Sequence, residues 1–90
     1  MKQVGKTPDD IKVVSDVFDM VGTRGLPLEM VLQFCKDNGW IVSWPHYVRD
    51  ARKDGAKMKS IKAKVFAAIG EVYGPFYLKG FQARWEEYFG

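Results

Sequence analysis

Apolar side chains recur along most of the chain at the three- and four-residue steps of an α-helix, and glycine and proline divide them into helix-sized blocks. The first block follows Thr7-Pro8-Asp9-Asp10. There Thr7 is placed as an N-cap, Pro8 as the first helical residue, and the two aspartates face the positive end of the helix dipole. Ile11, Val14, Val17, Phe18 and Val21 then make one stripe, which Gly22 and Gly25 end. Residues 1–6 read as a flexible lead-in, and residues 7–90 as a single helical domain.

A second helix is expected from about Pro27, with Leu28, Val31, Leu32 and Cys35 turned inward and Asn38-Gly39 as its left-handed stop. Trp40-Ile41-Val42 is short, β-branched and aromatic, which predicts an extended, buried connector with room for a single strand. Ser43 or Trp44 caps a third helix that carries Pro45 in its first turn, buries Trp44, Tyr47, Val48 and Ala51, and closes at Asp54-Gly55. From about Lys57 to Tyr73, the residues Met58, Ile61, Val65, Ala68, Ile69 and Val72 form a long stripe. Gly70 inside it costs about 1 kcal/mol relative to Ala, so it predicts the close approach of another helix. Gly74-Pro75 is a break. The last block holds Leu78, Phe81, Trp85, Tyr88 and Phe89 at helical spacing, with Gly80 as a kink or a late start. Stripes on every block and no alternating strands predict an all-α fold, a compact bundle of about five short helices.

Ninety residues, 47% apolar and 28% charged, place the chain among single globular domains. Its one cysteine cannot form an internal disulfide, whereas secreted domains of this size usually need several. MKQVGKTPDD has no apolar run behind its basic start, so no signal peptide is read there. Nor does any stretch reach the roughly eighteen apolar residues of a membrane span. A cytoplasmic protein without membrane contact is the expectation.

Charge changes the picture more than composition does. Between Arg49 and Lys64 stand seven of the fourteen Lys and Arg residues, against the acids Asp50 and Asp54. That stretch is +5 in a chain of net +3, so the flanking segments together are −2. A localised cationic excess suits a polyanion, because neutralised phosphates release condensed counterions. The alternative is a solvated lysine-rich face.

Catalytic chemistry finds little to work with. His46 is the only histidine and Cys35 the only cysteine, so no Cys/His metal set can be assembled. Cys35 lies on an apolar stripe, where a thiol behaves as a small hydrophobe and not as a nucleophile. No phosphate-cradling glycine motif is present, and adjacent acids such as Asp9-Asp10 point about 100° apart on a helix. The expectation is no enzyme, no cofactor, no metal and no small-molecule substrate.

Over roughly residues 26–55, an amphipathic helix, a glycine and a second, basic helix follow one another. The pattern resembles helix-turn-helix DNA-binding domains, although Gly39 to Ser43 is longer than their usual turn, and an ordinary αα-hairpin has the same features. With Trp44, Tyr47, Val48 and Ala51 inward, His46, Arg49 and Lys53 share the opposite face and Arg52 lies to the side. In a major groove such a row offers Arg49 to a guanine edge and Lys53 to phosphate. Lys57, Lys59, Lys62 and Lys64 continue the basic block onto both flanks of the next helix, at the end where cations are disfavoured. The aromatic tail, with Tyr77, Phe81, Trp85, Tyr88 and Phe89, serves either the core or a protein interface, including a homodimer.

These readings converge on a small double-stranded DNA-binding protein of helix-turn-helix type, a transcriptional regulator or a DNA-packaging or architectural accessory. The alternative is a protein-binding modulator or inhibitor acting through the aromatic C-terminal helix; its small size suits a phage product. Binding of RNA or single strands would use the same lysines.

Overall fold

The computed structural model describes residues 2–89 and is mostly helical, 66%, with a small three-stranded sheet. The helical expectation holds from residue 28 onward, and the sheet corrects it for the N-terminal part. Residues 3–6, read as a lead-in, form β1 (Gln3–Lys6), which pairs antiparallel with β2 (Lys12–Val14). Met1, also assigned to the lead-in, lies outside the described residues, as does Gly90.

Thr7-Pro8-Asp9-Asp10 is therefore the turn of a hairpin and not a helix start. The Thr7 Oγ1 accepts from the Ile11 N–H at 3.1 Å, and the Thr7 carbonyl accepts from the Asp10 N–H at 2.9 Å. Asp10 takes the left-handed conformation, φ 64°, which aspartate tolerates better than most residues. The β-branched run Ile11, Val13 and Val14 favours an extended backbone, and pairing on both sides of β2 secures it. Only the later part of the expected first helix is helical. Val17 and Val21 are buried there, and the turn widens to π geometry over Asp19–Thr23. The Phe18 ring lies over Gly22, where a Cβ would come within 2.8 Å of it.

Four helices follow: α1 (Leu28–Asp37), α2 (Trp44–Lys53), α3 (Met58–Tyr73) and α4 (Pro75–Phe89). Between α1 and α2 the connector carries β3 (Ile41–Val42), parallel to β2 with Val13 opposite Ile41 and Val14 opposite Val42. Gly39, at φ 69°, makes the turn out of α1 that delivers the chain to this strand. The connector was expected to be buried, yet Ile41 is 43% exposed.

The long helix α3 is the centre of the domain and packs against α1, α2 and α4. Its Ile61, Val65, Ala68 and Ile69 are buried, as the stripe predicted. Gly70 marks the approach of α4: a Cβ there would sit 3.2 Å from a Leu78 methyl. Helix α4 runs unbroken through Gly80. Phe81 and Trp85 enter the core and join Trp44 and Phe66 in an aromatic cluster, with ring centroids 5.6–6.4 Å apart in edge-to-face contacts. No polar or charged side chain is buried among the described residues, so apolar packing alone forms this core.

Candidate nucleic-acid interface

The basic block surrounds the corner where α2 meets α3. Helix α2 ends because the Gly55 N–H and the Ala56 N–H turn back to the Arg52 and Ala51 carbonyls, at 3.0 Å each. Arg52 and Lys53 thus stand in the last turn of α2, where a cation complements the helix dipole. After the short link, Lys57 is the N-cap of α3 and Lys59 lies in its first turn. That N-terminus has no side-chain cap and no acid in its first turn, so its N–H groups and the lysines all favour a bound anion.

The expected site residues divide into three groups. Arg52, Lys53, Lys57, Lys59 and Lys64 are exposed and, among the described residues, engage no carboxylate. Arg49 and Lys62 are paired. The Arg49 Nε meets Asp50 Oδ1 at 3.2 Å, and the Lys62 ammonium donates to Glu86 Oε1 on α4. His46 is half-buried, with Nδ1 hydrogen-bonded to the hydroxyl of Ser43, the N-cap of α2. It therefore serves the helix start and does not complete a row with Arg49 and Lys53. Sequence reasoning had no signal for the Lys62–Glu86 pair, since it joins residues from two helices.

The aromatic candidates divide as well. Phe81 and Trp85 are buried, and Phe89 is half-buried against the Trp85 ring at 4.4 Å. Tyr77 and Tyr88 are exposed, as is Phe76 at 93%, which the expected interface did not include. Stacking on Tyr77 at 4.5 Å half-buries Tyr73, whose phenol is pushed up to about 12, first by desolvation and then by Tyr77.

Cys35 is fully buried, and its thiol is raised above the usual range by burial and, less, by the Asp16 carboxylate. That environment disfavours the thiolate, the nucleophilic form. None of the helices is long and apolar enough to cross a membrane.

No protein-family model, curated protein or solved structure matches the chain.

Proposed function

We propose that the protein binds double-stranded DNA by gripping its phosphate backbone with the α2–α3 corner. The observation that carries this reading is the group of five exposed cations, Arg52, Lys53, Lys57, Lys59 and Lys64, that no carboxylate neutralises among the described residues. Lysines at the α3 N-terminus stand against the local dipole preference, by some tenths of a kcal/mol each, and a phosphate there would reverse the penalty. Helix α2, with Arg49 and Lys53 on its exposed side, is the element suited to a major groove. The Arg49–Asp50 pair is open to solvent, so a base or phosphate could displace it at little cost.

Charges at helix ends favour backbone contact over base reading. An architectural or packaging accessory is accordingly preferred to a sequence-specific regulator. The strand β3 between α1 and α2 makes this a helix–strand–helix arrangement and not a compact helix-turn-helix. The test is anisotropy of a labelled mixed-sequence duplex, with single-stranded DNA and duplex RNA as parallel arms. Retention of the DNA duplex at about 50 mM salt is expected. Failure to retain it there, or preference for either other arm, would remove the reading.

A further inference from the structure

Two apolar clefts, of about 190 and 200 Å³, meet along α4 and share Val42, Trp44, Phe81 and Arg84 as lining. They form one groove with a common waist, one arm reaching Tyr88 and the other Tyr77. An apolar cavity of about 150 Å³ accommodates benzene, so each arm has room for one large side chain.

Strand β3 lines the groove through Val42 and is an edge strand of the sheet. The Ser43 N–H donates to the Val14 carbonyl at 2.8 Å, on the β2 side. Backbone groups alternate sides along a strand, so those of Val42 point away from β2, toward the open edge. Arg84 is the only charged side chain lining either arm among the described residues. It faces the Tyr77 ring at 5.7 Å and engages no carboxylate there.

We propose that this groove binds an extended peptide segment of a partner protein, in which one acidic residue separates two bulky apolar residues. Side chains on one face of an extended chain repeat at every second residue, about 7 Å apart. One apolar side chain then fills each arm. The acidic residue between them faces outward, toward the Arg84 guanidinium, and the peptide backbone meets the open edge at Val42. The inference uses neither the basic corner nor duplex binding.

The test is a titration of the full chain into a fluorescein-labelled Gly-Ser-Phe-Asp-Phe-Ser-Gly peptide, read by anisotropy. Saturable binding below about 1 mM is expected. Arg84→Gln and an Asp-to-Asn peptide should each weaken it about tenfold, and the two changes together should weaken it no further. Arg84→Lys should recover part of the loss. In a heteronuclear NMR spectrum the Val42 amide and the Trp44 and Trp85 indole N–H signals should move on binding. The proposal is overturned by lack of saturation at about 1 mM, by independent losses from the two changes, or by shifts confined to other residues. It is equally overturned if sedimentation finds a dimer that Arg84→Gln dissociates, since the groove would then hold a second copy of this chain.

Discussion

Removing charge from the α2–α3 corner should change the salt dependence of DNA binding by a predictable amount. If Arg52, Lys53, Lys57, Lys59 and Lys64 each neutralise one phosphate, log K against log salt should have a slope of about −4.5. Affinity would then fall several hundredfold, on the order of 500-fold, between about 50 and 200 mM salt. Lys57→Ala, Lys59→Ala and Lys64→Ala should each make the slope shallower by about 0.9 and weaken all sequences alike. Lys62→Ala is the internal control, because its ammonium is already held by Glu86; its slope should change least. Anisotropy titrations at four salt concentrations measure every slope directly. A wild-type slope near zero, or an unchanged slope in the three exposed-lysine variants, would refute the phosphate-grip reasoning. Equal losses for Lys62→Ala and Lys59→Ala would refute the assignment of free and engaged cations.

Three further outcomes test the fold beneath this face. Cys35 should resist a thiol reagent in the native state and react readily in denaturant; rapid native labelling would contradict its burial. Trp85→Ala should cost about 3–5 kcal/mol in urea denaturation, a large part of the stability of so small a domain, whereas Phe76→Ser should change it by less than about 0.5 kcal/mol. Tyr73 binds its proton more tightly folded than unfolded, so its contribution is complete below the ordinary tyrosine value and is lost as pH rises toward about 12. Tyr73→Phe should flatten the alkaline fall of the denaturation midpoint, and an unchanged fall would contradict the assignment.

The four helices from residue 28 onward were legible because each has both a stripe and a stop. Gly39, Asp54-Gly55 and Gly74-Pro75 are local signals, and the helices end at or beside them. The N-terminal sheet was not legible, for two physical reasons. Thr-Pro-Asp-Asp serves a helix start and a hairpin turn equally well, since both need a side-chain acceptor and a fixed proline φ. What decides between them is the partner of β2, and β3 lies almost thirty residues further on. A pairing of that range leaves no periodic trace in either segment.

The candidate site shows the same limit. The concentration of positive charge was visible in the sequence, but the loss of Lys62 to Glu86 and of His46 to Ser43 depends on packing and on rotamers. Arg84 amid the aromatic tail was the available signal for the groove, and without β3 in place it had no strand edge to point to.

The β2–β3 pairing also bears on how function can be separated from stability. Phe81 and Trp85 line the groove and at the same time belong to the buried cluster with Trp44 and Phe66. Truncating either removes core contacts worth several kcal/mol, so lost binding in such a variant says nothing about the groove. Exposed groups carry no such ambiguity. Arg84 at the groove and Lys57, Lys59 and Lys64 at the corner contribute little to folding, because exposed charges are well screened. They also belong to different elements, α4 against the α2–α3 corner. A chain altered at Arg84 should therefore keep its DNA salt slope, and a chain altered at Lys57 should keep its peptide affinity, if the two faces act independently.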